Sequence, residues 1–348
     1  MADLFLRERH VPKEQRKNVE KHCQQIAFSL DQAREYFRSA EISGPTTRAL
    51  MAYYGLIALA NAEVLWLGDG EVSFDKRDDR FKAHGLELVQ GSEISDFSVR
   101  PVNDHRGISG LFGLWRQLST HLPHYGKHTT FYPPKNSEWS AAITSKVSNL
   151  SSLPMPDRPI TLMECLKHIP AMRPALDAYG DQSSLCRGVI TQSRTSWPDG
   201  GISNVQRQFL LYGQTDEVYQ DILERFRLAP NVVPEFEFEQ IGSGIAVTWK
   251  AHPDFVDVAN FSMPEIFAHS LDRLFFVGSG EYLNEFGYYY SALYVAGMVT
   301  RYFPHIWIKE LRRNSKGAVL INELVDHALL RVPVLAASAL ERRVFIYD

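Results

Sequence analysis

Apolar and polar positions alternate with two different periods along the chain, and the change of period marks its organisation. Between residues 14 and 40, Val19, Cys23, Ile26 and other apolar side chains recur every three or four positions. This spacing predicts an amphipathic helix. A Gly-Pro break follows, and residues 47–67 are then apolar nearly all round. Such a segment is typical of the central helix of a bundle.

The middle of the chain follows a strand-like period instead. Strict alternation in residues 235–239 and 245–250, on either side of Gly242-Ser-Gly244, is the clearest hairpin signal. Further strands are predicted at residues 84–89, 97–102, 188–193 and 208–213, and helices at residues 107–122, 161–169 and 216–226. The helix at 161–169 begins with Thr161 and Glu164 in the spacing of a capping box.

Helical periodicity returns in the C-terminal part. Residues 282–302 are aromatic and apolar, and two more helices are predicted at 317–326 and 329–340, the second with Pro333 in its first turn or at a kink. The order of helices, a mixed or antiparallel β region and helices predicts an α+β fold rather than alternating βαβ units. We expect a helical region at 1–122, a loop-rich connector at 123–184, a β-rich region at 185–280 and a C-terminal helical region at 281–348.

Composition narrows the class of protein. The 348 residues are 45% hydrophobic and carry a net charge of −4, which excludes a generally basic nucleic-acid binder. Three cysteines are too few for a disulfide framework. The N-terminus lacks the apolar stretch of a signal peptide, and the longest uncharged runs, 49–62 and 286–300, are shorter than a bilayer span. These features predict a cytoplasmic protein without a membrane partner.

Two basic segments are candidates for chemistry. His84 follows Arg77 by seven positions, and such a pair can cleave RNA without a metal if the imidazole transfers a proton while the guanidinium holds the phosphate. Arg80 and Arg301 are candidate substrate-binding cations. The alternative is that Arg77 is a surface charge, that His84 packs at a turn, and that Arg301 belongs to a packed helix corner.

The histidines at 105, 121, 124 and 128 are the other candidate group. Zinc sites use His at compact spacing, but no His-Glu-x-x-His motif is present, and Pro123 with Gly126 favours a surface loop. No metal and no cofactor is predicted.

Four segments together resemble the YaaC-like family of bacterial proteins: Ala33-Arg-Glu-Tyr-Phe, the stretch 48–62, His84-Gly-Leu, and Thr300-Arg-Tyr-Phe-Pro-His-Ile-Trp. Their order and spacing cover residues 33–307. The resemblance implies a cytoplasmic protein of similar length and no established reaction.

The first 122 residues also resemble HEPN domains. These are helical bundles with an Ala-x-x-Tyr-Tyr helix, which Tyr53-Tyr54 matches here, and many carry an Arg-x4-6-His pair, which Arg77 and His84 match. The resemblance implies metal-independent RNA cleavage at a dimer interface and, by association, a toxin or phage-defence role. In HEPN domains the pair lies near the start of a helix, whereas Gly85 and a strand-like alternation follow His84 here.

Two functions therefore remain. The first is an endoribonuclease that acts as a dimer, with Arg77 and His84 catalytic. The second is a non-catalytic interaction subunit of a bacterial defence or regulatory complex, with a second copy or another protein as partner. A helix running from Arg77 past His84 favours the nuclease, and a loop leading into a strand favours the binding module.

Overall fold

The structure is a computed structural model. It describes residues 16–68, 70–119, 124–129, 139–147, 158–196, 198, 202–212, 236–242, 244–251, 267–269, 274–278, 283–341 and 343–347. The predicted helix at 216–226 lies outside these ranges.

Helices lie toward both ends of the described chain, as the periodicity predicts, although residues 343–347 at its C-terminal end form a strand. The helices are α1 (Arg16–Ile42), α2 (Arg48–Leu67), α3 (Gly110–Leu118), α4 (Leu162–Lys167), α5 (Arg173–Ala178), α6 (Glu285–Tyr302), α7 (Pro304–Arg312) and α8 (Lys316–Glu341). The predicted capping box at the start of α4 is confirmed, since Thr161 Oγ1 accepts from the Glu164 amide while the Glu164 carboxylate accepts from the Thr161 amide.

Two of these helices form the centre of the core. Every residue of α6 from Glu285 to Thr300 is buried, and α2 packs against α1, α6 and α8. By length and composition α2 could also cross a membrane, but most of it is buried among these neighbouring helices. Its nearly all-round apolar sequence is therefore explained by its central position.

Small antiparallel sheets flank the helices. Strands β1 (Leu86–Val89), β2 (Ser98–Pro101) and β7 (Ile160–Thr161) form one sheet, and β3 (Asn103–Asp104) pairs with β4 (Gly107–Ile108). A third sheet joins β5 (His124–Thr129), β6 (Trp139–Val147) and β14 (Arg343–Tyr347) in the order β14-β6-β5. The strands predicted near residues 84–89 and 97–102 are confirmed.

The largest sheet has six strands in the order β10-β11-β9-β8-β13-β12. Its strands are β8 (Leu185–Ser196), β9 (Ile202–Tyr212), β10 (Phe236–Ile241), β11 (Gly244–Ala251), β12 (Phe267–His269) and β13 (Leu274–Gly278). The predicted hairpin is confirmed, with Phe238 opposite Val247 and Ile241 opposite Gly244. The α+β class is thus confirmed.

Three local predictions are wrong. Residues 124–129 form a strand paired with β6 rather than a loop, because cross-strand hydrogen bonds satisfy a segment with no clear hydrophobic period. The helix predicted at 107–122 is shorter, since Gly110 begins it and Ser119 caps it. Residues 316–341 form one helix containing Pro333 rather than two.

Candidate functional site

The loop that carries His84 is fixed by a close crossing of two glycines. Gly85 and Gly110 both have positive φ, 78° and 73°, a conformation that side chains disfavour. A Cβ on Gly110 would lie 2.0 Å from the Gly85 Cα. This approach lets the first amides of α3 bind the loop: Leu111 donates to Ala83 O (2.7 Å) and Phe112 to His84 O (3.0 Å).

His84 is held from the core side by Tyr53. The Tyr53 hydroxyl lies 2.9 Å from His84 Nδ1, and the two rings are 5.5 Å apart between centroids. Burial raises the pKa of Tyr53 well above its ordinary value, and the nearby Tyr290, Tyr294 and Tyr54 raise it further. The phenol therefore keeps its proton and needs an acceptor.

This hydrogen bond selects the tautomer of His84. Nδ1 is the ring nitrogen that the Tyr53 hydroxyl contacts. If Nδ1 carried the proton instead, the buried Tyr53 O–H would lose that acceptor, which is costly. His84 therefore accepts at Nδ1 and carries its proton on Nε2, so the opposite edge of the ring is a hydrogen-bond donor.

Arg301 brings a positive charge to the same place from the last turn of α6. Its Nη1 donates to the Tyr54 hydroxyl at 2.7 Å, and its guanidinium lies 5.1 Å from the centre of the Tyr302 ring. The side chain is exposed, and no carboxylate forms an ion pair with it within the described ranges. Arg301 is thus a cation whose charge the described protein leaves uncompensated.

The environment keeps His84 neutral. Burial lowers the pKa of His84, and the positive charge of Arg301 lowers it further. The imidazole is therefore uncharged at pH 7. A neutral N–H donor beside an exposed guanidinium is an arrangement suited to an anion, because both groups donate and neither accepts.

Arg77 lies in a different environment from the one predicted. It is buried, its Nη1 donates to Asn61 Oδ1 at 2.7 Å, and its Nε donates to Val72 O at 3.1 Å. Burial lowers the pKa of Arg77 to about 10, so the guanidinium stays charged at neutral pH. These bonds tie the segment after α2 back to α2, and no hydrogen bond joins Arg77 to His84.

Arg80 also makes its contacts with neighbouring residues of its own loop. Its guanidinium lies 4.3 Å from the centre of the Phe81 ring and 3.7 Å from the Asp78 carboxylate. A single turn of 3-10 helix, Asp79–Phe81, is followed by a loop and then by β1. Of the four predicted site residues, the structure brings together His84 and Arg301 and leaves Arg77 and Arg80 in separate contacts.

The helix corner after Arg301 is anchored by one buried residue. Trp307 is buried and its Nε1 donates to Pro45 O at 3.1 Å, which anchors α7 on the α1–α2 connection. Arg301 is exposed, and its neighbours within the described ranges are Tyr54 and Tyr302 rather than Trp307. The structural role therefore belongs to Trp307, and Arg301 remains available for binding.

No group of three or more His, Cys, Asp or Glu side chains in the described ranges could hold a metal ion. His121 lies outside those ranges. His124 and His128 lie on β5, opposite Val147 and Ile143 of β6.

Four tyrosines complete the site without having been assigned a role from the sequence. They are Tyr53 and Tyr54 on α2 and Tyr294 and Tyr302 on α6. Tyr294 donates to Leu86 O at 2.7 Å and thereby holds the start of β1 beside His84. The Tyr53-Tyr54 pair was visible only as a helix motif. Two adjacent tyrosines are unusual on a core helix, because each buried hydroxyl needs a hydrogen-bond partner. That requirement could have suggested a polar neighbour such as His84.

The sequence model of the YaaC-like protein family matches residues 2–340. No curated protein and no solved structure gives a significant match.

Proposed function

Since the chain belongs to the YaaC-like family, which brings no established reaction with it, we propose from the site itself that the protein binds a phosphate-bearing ligand non-catalytically between His84 and Arg301. The single observation that carries this proposal is the hydrogen bond between the Tyr53 hydroxyl and His84 Nδ1. With Nδ1 paired in this way, Nε2 is the other ring nitrogen that can donate, and the charge of the exposed Arg301 guanidinium acts on the same ring. Phosphate oxygens accept hydrogen bonds from both kinds of donor.

The described loop geometry supports binding rather than cleavage. A general base for RNA cleavage needs a free lone pair within reach of the ribose hydroxyl. The lone pair of His84 lies on Nδ1 and accepts from Tyr53. The segment from Arg77 to His84 is a 3-10 turn and a loop leading into β1, which is the arrangement that favours a binding module.

The test measures binding of inorganic phosphate and sulfate by titration calorimetry to the full-length protein. Arg301→Gln should weaken binding by about tenfold or more, because a charge-assisted hydrogen bond is lost. Arg313→Gln removes an exposed arginine from the end of α7 and should leave binding unchanged. Equal affinity in wild type and Arg301→Gln would contradict the proposal.

Two substitutions at His84 separate its two ring nitrogens. His84→Asn places an acceptor near the Nδ1 position for Tyr53 but lacks the outer donor, whereas His84→Gln places an amide donor near the Nε2 position. We expect His84→Gln to retain much of the phosphate affinity and His84→Asn to lose it. The opposite order would show that the outer nitrogen is not the binding group.

RNA cleavage is the second candidate function, and one feature favours it: burial and the positive charge of Arg301 lower the pKa of His84, which favours the neutral imidazole. Cleavage would require the imidazole to change tautomer when substrate binds. Incubation of cellular RNA with purified protein in EDTA tests it, with His84→Ala as the comparison. Metal-independent cleavage that is lost in His84→Ala would replace the binding proposal with a nuclease of the HEPN type.

A ligand-binding role also fits a subunit of a bacterial defence or regulatory complex. The predicted homodimer or partner protein and the predicted cytoplasmic location belong to this proposal. Light scattering on the purified protein, with and without the ligand, measures whether its oligomeric state responds to binding.

A further inference from the structure

Two tyrosines contact Arg301, the cation of the site. On one side, the Arg301 guanidinium lies over Tyr302, whose ring is 60% exposed. On the other, Arg301 donates to the Tyr54 hydroxyl, and the ring of Tyr36 on α1 lies 5.4 Å from the Tyr54 ring. Three helices thus contribute aromatic side chains around one exposed positive charge.

An exposed aromatic ring in such a place is informative. Burial of an aromatic side chain stabilises a protein, whereas Tyr302 remains largely exposed and gains little stabilisation in this way. Proteins that hold single nucleotides or single strands combine a cation for the phosphate with an aromatic face for the base. One stacked base typically raises affinity by about five- to a hundredfold.

The charge around the site is compatible with an anionic ligand. Glu87, the carboxylate that acts on Tyr294, pairs with Arg100 at 2.8 Å. Its negative charge is therefore largely compensated on β1. Arg301 and the outer edge of His84 remain the groups that set the local potential.

We propose that the ligand is a nucleotide, with its phosphate between Arg301 and His84 and its base stacked on the exposed ring of Tyr302. This inference rests on the proposed phosphate binding and adds the identity of the organic part of the ligand. The nucleotide is either free or one unit of a single-stranded nucleic acid, since both present a phosphate and an unpaired base.

The experiment compares inorganic phosphate, ribose 5-phosphate and adenosine 5′-monophosphate on the full-length protein by calorimetry. Wild type should bind the adenosine compound at least about fivefold more tightly than ribose 5-phosphate. Tyr302→Leu should bring this ratio to about one, with the variant's own affinity for ribose 5-phosphate as its reference. Tyr302→Phe keeps the ring and should keep the ratio.

Tyr179→Leu is the matched control. Tyr179 is also an exposed tyrosine with a cation, Lys316, over its ring at 5.9 Å, but it lies at the end of α5. This variant should preserve the ratio between the two ligands. A short oligoadenylate separates the two sources: tighter binding than the monomer identifies a strand, and equal binding identifies a free nucleotide.

Failure of this inference can be distinguished from failure of the proposed function. Equal affinity of wild type for ribose 5-phosphate and the adenosine compound overturns base stacking, while a loss in Arg301→Gln still supports a phosphate site. Absence of binding by all three compounds overturns both proposals.

Discussion

At the scale of single residues, the Tyr53 hydroxyl determines which edge of His84 faces a ligand. It lies 2.9 Å from Nδ1 in a fully buried position, and a hydroxyl that donates to that nitrogen stabilises the neutral ring. The other groups around the imidazole are Tyr294 and Arg301 on α6, with Glu87 next to Tyr294 on β1. A neutral histidine is thus produced by burial, one phenol and one cation.

These contacts fix the sign of a pH effect. Burial and Arg301 lower the pKa of His84, so removing the cation in Arg301→Gln should raise that pKa toward its ordinary value. Tyr53→Phe should raise it as well, because the donor that favours the neutral ring is lost. Titration of the His84 Cε1 proton by NMR measures both shifts.

A bound anion should also raise the pKa of His84. Sulfate stays dianionic through the range in which His84 titrates, and it favours the protonated ring. The affinity for sulfate should therefore rise as the pH falls toward the pKa of the free site. An affinity that does not change with pH would mean that His84 is not in contact with the anion.

At the scale of elements, the site depends on the crossing of the His84 loop and the start of α3. Gly110→Ala should destabilise the protein by about 3 kcal/mol or more, because the Cβ meets the Gly85 backbone and the residue is held at positive φ. Gly180 has nearly the same φ, 72°, but nothing within 4 Å of its added Cβ. Gly180→Ala should cost only about 1 kcal/mol.

Urea denaturation of both variants measures the difference. Because the two glycines share a conformation, the excess cost in Gly110→Ala reports the crossing itself. Gly110→Ala should also weaken phosphate binding, since the α3 amides that hold His84 O and Ala83 O must move. Equal losses in the free energy of unfolding for the two variants would show that the His84 loop can move away from α3 without destabilising the protein.

The elements also show what a period in the sequence can and cannot predict. The hairpin of β10 and β11 was predictable because alternation and turn residues act over a few neighbours. The single helix α8 was not. Its Pro333 removes a backbone hydrogen bond, but Leu324, Ala328, Val332 and Ala336 bury apolar side chains along one line across it. The burial of these side chains outweighs the cost of Pro333 inside the helix, which is about 3 kcal/mol. Only the tertiary structure reveals that burial.

At the scale of the whole molecule, the site joins segments that are far apart in sequence. Tyr53, His84 and Arg301 come from α2, the loop before β1 and α6. The sequence could select His84 and Arg301 as chemically capable residues, but it carried no information that they are neighbours. Arg77 was as good a candidate by spacing. Its side chain is instead buried and hydrogen-bonded to Asn61, 16 positions away, which the sequence does not indicate.

The same long-range organisation ties the C-terminal helix to the core. Arg331 on α8 forms a two-pronged ion pair with Glu285 at the start of α6, with Nε to Oε1 at 2.9 Å and Nη2 to Oε2 at 2.8 Å. The side chains are only 10% and 2% exposed. Removing one partner from such a pair leaves a charge without compensation in the interior.

Arg331→Met should therefore destabilise the protein by about 3–5 kcal/mol at pH 7. Glu285→Leu combined with Arg331→Met should recover much of the stability, since no charge is left buried. Arg34→Met, which breaks an exposed pair with Asp31 on α1, should change stability little.

Thermal unfolding of the single and double variants separates this ion pair from a simple packing defect. A packing defect at Arg331 is not repaired by Glu285→Leu, whereas an uncompensated buried carboxylate is removed by it. Because α6 also carries Tyr294 and Arg301, loosening its first turn should be followed by weaker phosphate binding in Arg331→Met. If the double variant is no more stable than Arg331→Met, Glu285 has found another partner, and α8 is not held to the core by charge.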